Sequence, residues 1–152
     1  MEFYPLYDLF RLPFYTAVGT YYKRIQFRNK AVIFPDRPVI IAMNHPNSFM
    51  DPIAFSSQCI RKMFYLARGD SFKKGIGWAL EGVGIIPIYR MSDAGRDGVK
   101  KNDESFEAVS RHLAKNHSVI IFPEGLCIQE RRLRNLKKGC ARIVFYSMEE
   151  LK

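Results

Sequence analysis

The chain has 152 residues, of which 47% are hydrophobic and 26% charged. That is enough for one domain with a real core, too little for two, and the wrong composition for a disordered protein. A formal net charge of +9 directs attention to anionic partners, whether small ligands, a membrane face or nucleic acid, beside the plainer reading that it keeps the domain soluble.

Residues 1–28 crowd Phe3, Tyr4, Leu6, Tyr7, Leu9, Phe10, Leu12, Phe14 and Tyr15 ahead of Lys23, Arg24 and Arg28. Aromatic side chains flanked by bases suit a segment lying at a lipid headgroup interface, and a helix packed on the domain's own core is the alternative. Pro5 and Pro13 are expected to break any long helix here. Residues 1–30 therefore read as an interfacial segment, and 31–152 as the domain proper.

Beyond it the pattern alternates. Strands are predicted at 38–43, 63–67, 84–89 and 117–123, and helices at 52–61, 70–83, 97–115 and 136–151. Pro52 is expected at the first helical position with Asp51 as cap, and Asp70 or Ser71 caps the next helix. Residues 90–98, "RMSDAGRDG", read as a loop. Strands alternating with helices imply an α/β fold, a mostly parallel central sheet flanked by helices. The last helix carries no Gly or Pro stop signal, which reads as a domain lacking its C-terminal part. No run approaches the roughly 18–20 apolar residues of a membrane span, and no secretory signal opens the chain. Three cysteines, Cys59, Cys127 and Cys140, without paired spacing point to reduced thiols rather than a disulfide framework or a zinc site.

In open α/β sheets ligands sit beyond the carboxyl ends of the strands. The predicted strands end at Asn44-His45, at Pro87-Ile88-Tyr89-Arg90 and at Phe122-Pro123-Glu124-Gly125, with Asp51 six residues after the histidine. If these ends share one edge, a general base, a carboxylate to orient it and a cation for phosphate converge on one cleft. Singly, each has a plainer reading as a turn or a solvated charge. Asn44, Asn47 and Ser48 either shape the turn after the first strand or donate to a developing oxyanion. Arg131, Arg132, Arg134, Lys137 and Lys138 follow the last strand and suit phosphate oxygens or a solvated face. "RGD" at 68–70 lies between a strand and a helix start and is set aside as an adhesion signal. His112 and His117 have no metal-ligand spacing and read as structural; no metal site is expected.

Three of these segments together resemble the glycerolipid acyltransferases, which acylate glycerol-3-phosphate and lysophosphatidate. "NHPNSFMD" (44–51) is similar to that family's His-to-Asp motif, with five intervening residues where four are commonest. "GIIPIYR" (84–90) matches its Gly-x-Ile-Pro-x-x-Arg motif, and "FPEG" (122–125) its third motif unchanged. The third motif continues "LCIQERRL" rather than with Thr-Arg-Ser, and no candidate for the fourth motif follows. The resemblance covers residues 36–145. It implies that His45 is the general base and Asp51 its orienter. It also implies that Arg90, Glu124, Gly125, Pro87, Asn47 and Ser48 meet the substrate, with Arg131, Arg134 and Lys137 as further phosphate contacts. Transfer would be direct and need no cofactor, with acyl-coenzyme A or acyl carrier protein as co-substrate. The expected partners are a phosphorylated glycerol or lyso-lipid acceptor and an anionic membrane surface, with the protein peripheral or monotopic on the cytoplasmic face; nucleic acid is not among them. Two rivals stand beside this reading: a thioesterase or hydrolase using Cys127 with His45, and a non-catalytic fragment that binds anionic membrane.

Overall fold

The structure is a computed structural model that describes residues 4–29, 31, 33, 36–59, 61–72, 75, 77–89, 91–130 and 132–152. In chain order it runs α1 (Pro5–Tyr21), β1 (Val39–Ala42), α2 (Met50–Ser57), β2 (Met63–Arg68), α3 (Gly77–Gly82), β3 (Ile85–Ile88), α4 (Met91–Ala114), β4 (Ser118–Ile121) and α5 (Gly139–Glu150). The four strands form one sheet in the order β1-β4-β2-β3, and each neighbouring pair is parallel. The α/β fold expected from the alternating pattern is the fold observed.

β4 lies between β1 and β2, and all four of its residues are buried, as expected for a strand covered on both faces. Alternation sends Val119 and Ile121 into a core with Phe64, Leu66, Ile86, Val109 and Leu113 of α4, and Ile143 of α5. A buried hydrogen bond from Ser110 Oγ to Ser147 Oγ, 3.1 Å, ties α4 to α5 beneath it. The opposite parity carries Tyr65, which meets Ser56 of α2. β3 is an edge strand, which is where a sheet tolerates Pro87.

Four local expectations are corrected. Prolines do not break α1, a single helix of 17 residues. Pro5 occupies its first turn, where a missing N–H costs nothing, and Pro13 sits on the exposed side, away from the core. The helix expected at 70–83 is shorter: a 3-10 turn spans Gly69–Ser71, Gly75 adopts φ +100°, and α-helix begins only at Gly77. Asp70 pairs with Arg68 instead of capping. Residues 91–98 are the first turns of α4 rather than a loop; a helical glycine costs only about 1 kcal/mol, too little for Gly95 and Gly98 to stop a helix of 24 residues.

The amino-terminal helix is fastened to the sheet. Lys62 Nζ lies 2.7 Å from Asp8 Oδ2 and over the ring of Tyr4, and the Met63 N–H donates to Tyr7 Oη at 3.0 Å. α1 also packs on α2 and α3. That leaves Leu9, Phe10, Leu12, Phe14, Tyr15 and Tyr21 exposed. No helix among the described residues is long and apolar enough to cross a membrane.

Candidate active site

The parallel register builds the site. Ala42 pairs with Ile121, and the Met43 N–H continues the ladder to the Ile121 carbonyl at 3.1 Å. The residues just past both strands are thereby delivered side by side, and the imidazole of His45 stacks on Phe122, centroids 3.9 Å apart and planes 20° from parallel. The chain then turns sharply. Ser48 takes φ +45°, and the Asn47 N–H donates to Asp51 Oδ2 at 2.7 Å. Asp51 is thus not the cap of the following helix. α2 begins two residues earlier than expected, at Met50 with Phe49 at the cap position, and the carboxylate folds back into the turn instead.

The same oxygen, Asp51 Oδ2, lies 3.3 Å from His45 Nδ1. This is ion-pair distance without hydrogen-bond alignment, and Nδ1 has no other partner among the described residues. Both side chains are mostly buried, at 18% and 16% exposed. Burial pulls the imidazole pKa below its ordinary 6.5, while Asp51 and then Glu124 pull it back up. Burial outweighs both, so the ring gives up its proton more readily than a free histidine does. With Nδ1 turned to Asp51, Nε2 is the nitrogen left for chemistry.

Glu124 is 8% exposed and close enough to act on the charge of His45. Gly125 adopts φ +68°, its N–H donates to the Phe122 carbonyl at 2.9 Å, and Lys137 N–H donates to the Pro123 carbonyl at 2.7 Å. Cys127 Sγ accepts the Ser48 N–H at 3.0 Å, and Gln129 Nε2 reaches Asn47 Oδ1 at 3.5 Å. The first motif is therefore stacked on the third through Phe122 and bonded to the segment that follows it.

His45 opens on a cavity of about 1610 Å³, larger than the roughly 300–1,000 Å³ of ordinary small-molecule pockets. Ser48, Gly125, Cys127 and Lys137 line it together with Tyr7, Phe10, Phe14, Ile53, Leu80, Val83, Ile88 and Phe106, and Asp8, Arg11, Arg68 and Arg142 add charged groups to the wall. A mostly apolar wall that also holds a histidine and several charges suits an amphiphile.

Not every expected residue joins this cavity. Pro87 lies within β3 opposite Ala67 and borders a separate pocket of about 300 Å³. Arg134 is held by Glu130 at 2.7 Å, as is Arg132, so neither points a free charge at the cleft. Arg90 and Arg131 lie outside the described residues. Two participants escaped the sequence reading. Phe122 carried a signal, its place in the third motif; Asn102, which bonds the backbone of Tyr89, carried none.

The family model for Acyltransferase matches residues 24–147. The chain belongs to the Acyltransferase family. It is similar to the 1-acyl-sn-glycerol-3-phosphate acyltransferase LPAT1, chloroplastic, of Arabidopsis thaliana, 32% identical over 104 residues, covering 68% of this chain and 27% of that protein. It is similar also to the 1-acyl-sn-glycerol-3-phosphate acyltransferase BAT2, chloroplastic, of Brassica napus, 29% identical over 108 residues, covering 71% of this chain and 29% of that protein. The acyltransferase chain thus spans less than a third of the length of these curated relatives. Their names bear out the glycerolipid branch to which the three motifs point. No solved structure gives a significant match.

Proposed function

We propose that this chain is an O-acyltransferase of phospholipid synthesis, moving a fatty acyl group from an acyl thioester to a hydroxyl of lysophosphatidate or glycerol-3-phosphate. The observation that carries the reading is His45 between Phe122 and Asp51, 3.3 Å from the carboxylate, in the wall of a large and mostly apolar cavity. Nε2 takes the proton from the acceptor hydroxyl as its oxygen attacks the thioester carbon. The new C–O bond forms, the C–S bond breaks, and the same nitrogen returns the proton to the departing thiolate. Asp51 fixes the tautomer and stabilises the imidazolium while it exists. The acyl chain would lie along Phe10, Phe14, Ile53 and Leu80. Arg90 would take the acceptor phosphate, and Lys137, which lines the cavity, would add a second cation. Glu124, buried beside the base, would receive a substrate hydroxyl.

The acceptor is a lipid or its precursor, so the protein must reach a bilayer. The exposed apolar residues of α1, with Phe49 at 74% and Trp78 at 69% exposed, support docking of this side on an anionic membrane, which the +9 charge also favours. We place the protein there as a peripheral or monotopic enzyme on the cytoplasmic face.

The test is a panel of acceptors (glycerol-3-phosphate, lysophosphatidate and other lyso-lipids) with one labelled acyl group presented on coenzyme A and on acyl carrier protein. Wild type and His45→Ala are run in parallel. Product from a phosphorylated acceptor in the wild type, lost in the variant, supports the reading. Ester formation undiminished without the imidazole overturns it.

A further inference from the structure

Two contacts hold the imidazole of His45, and they differ in kind. The Asp51 carboxylate lies 3.3 Å from Nδ1 without hydrogen-bond alignment, so it attracts the ring without fixing its plane. Phe122 fixes the plane. Its ring lies against the imidazole with centroids 3.9 Å apart and planes 20° from parallel, and at that spacing the imidazole cannot tilt without driving an edge into the phenyl face. Phe122 is itself anchored on both sides. Ile121, before it, pairs with Ala42 and accepts the Met43 N–H at 3.1 Å. After it, Pro123 restricts residue 122 to extended backbone, the Phe122 carbonyl accepts the Gly125 N–H at 2.9 Å, and the Pro123 carbonyl accepts the Lys137 N–H at 2.7 Å.

The contact also has an electrical side. A phenyl face carries the negative part of the aromatic quadrupole, and a cation within about 6 Å of the ring centre is attracted to it, more strongly where water is excluded. His45 is mostly buried, and both rings line the same largely apolar cavity. A neutral imidazole gains packing from the phenyl face; an imidazolium gains the attraction as well. Imidazolium is the state His45 enters on taking a proton, so the contact strengthens as the reaction proceeds. Contacts of that kind raise turnover rather than binding.

We propose that Phe122 is the positioning residue of the base: it fixes the plane in which Nε2 meets the acceptor hydroxyl, and it stabilises the imidazolium from its face while Asp51 does so from its edge. This rests on the base role given to His45 above. The effect falls on kcat, with little on either KM.

The experiment is steady-state kinetics with lysophosphatidate and an acyl-coenzyme A on wild type, Phe122→Leu, Phe122→Tyr, His45→Ala and the double variant Phe122→Leu/His45→Ala. An NMR titration of the imidazoles, of which the chain has three, accompanies it. Phe122→Leu keeps apolar bulk without a flat face. The expected result is a kcat lowered by about tenfold or more, with both KM values within about threefold of wild type and Tm within a few degrees. Phe122→Tyr, which keeps the ring, should hold kcat within about threefold. The His45 pKa should fall in Phe122→Leu, because the face that favours the charged form is gone while burial remains. Once His45 is gone, Phe122→Leu should add no further loss, because it acts through the imidazole. If Phe122→Leu does not fold, site-specific fluorination of the ring at position 122 carries the test: its size is nearly kept while the face becomes less negative, so kcat should drop with each added fluorine at constant KM. Unchanged kcat in Phe122→Leu or across the fluorinated series, a His45 pKa that rises in Phe122→Leu, or an undiminished loss in the His45→Ala background overturns the proposal. If His45→Ala itself retains full acyl transfer, what fails is the base role of His45.

Discussion

At the carboxyl end of β4, Phe122 stacks on His45 with centroids 3.9 Å apart; at its amino end, His112 and His117 stack on Phe64 at 3.7 and 4.9 Å. The two ends share an aromatic ring against imidazole and differ in what faces the ring nitrogens. His45 Nδ1 looks at the Asp51 carboxylate, and Glu124 adds a second negative group nearby. His112 Nδ1 looks at His117 Nδ1, 3.3 Å away, an arrangement with room for one proton between two rings. A carboxylate helps an imidazole become cationic for the duration of a reaction, whereas a second imidazole opposes that once it is itself charged. The cavities differ in the same sense, about 1610 Å³ at His45 against about 300 Å³ bordered by His112. Histidine on an aromatic ring is therefore not by itself a sign of catalysis; its partners and the space before it decide.

The comparison breaks most sharply on turnover. His45→Ala is expected to lower acyl transfer by about 10²–10⁴-fold, the contribution of a positioned general base, with Tm within a few degrees of wild type. Rates from purified protein with circular dichroism melting check both halves, and activity within tenfold of wild type would sink the assignment. Asp51→Asn should cost less, on the order of 10²-fold, because its contact with Nδ1 is close but not aligned in the resting state. It also carries a sign. Burial already holds the His45 pKa below 6.5 against the opposing pull of Asp51, so the acid limb of kcat/KM should fall below pH 6.5 in the wild type. With the carboxylate neutralised, the limb should move lower still. A pH–rate profile whose limb rises in the variant would mean that Asp51 is not what faces the base.

The other end of β4 should answer in stability. His112→Ala removes a ring stacked on fully buried Phe64. The expected loss is about 1–2 kcal/mol, or several degrees of Tm for a domain of this size, with turnover per folded molecule unchanged. A collapse of kcat at constant Tm would erase the contrast between the two ends.

What the sequence disclosed follows the same division. Strand-and-helix alternation and the three strand-end motifs were legible because burial periodicity and a parallel sheet's carboxyl edge are properties of the chain order itself. His45 and Asp51 meet as their spacing proposed. The features that were not legible depend on contacts between distant segments. Asp51 was read as a cap because Asp followed by Pro fits a helix start. In the fold, the carboxylate is drawn back by the Asn47 N–H and the imidazole, a competition that local propensity does not contain. Residues 90–98 read as a loop, yet 91–98 are helical because α4 continues into a stretch whose Val109 and Leu113 are buried in the core, and tertiary burial outweighs about 1 kcal/mol per glycine. Asn102 gave no signal because a clamp on a strand end needs only one amide at the right place in space.

The smallest expected effect discriminates between mechanisms. Cys127 follows the third motif, lines the cavity, and its Sγ accepts the Ser48 N–H at 3.0 Å, so a thiol does touch the turn that follows His45. A thiol nucleophile would have to attack the thioester first and carry the acyl group as a new thioester, with His45 activating the sulfur. Direct transfer asks nothing of it beyond a weak, exposed hydrogen bond, which water replaces at little cost. Cys127→Ala should accordingly keep kcat and both KM values within about twofold of wild type, and mass spectrometry of the wild type quenched during turnover should find no acylated Cys127. Loss of transfer on the scale of His45→Ala, together with an acyl adduct on the sulfur, would move the chemistry from an imidazole acting on an alcohol to a covalent relay through the neighbouring thiol.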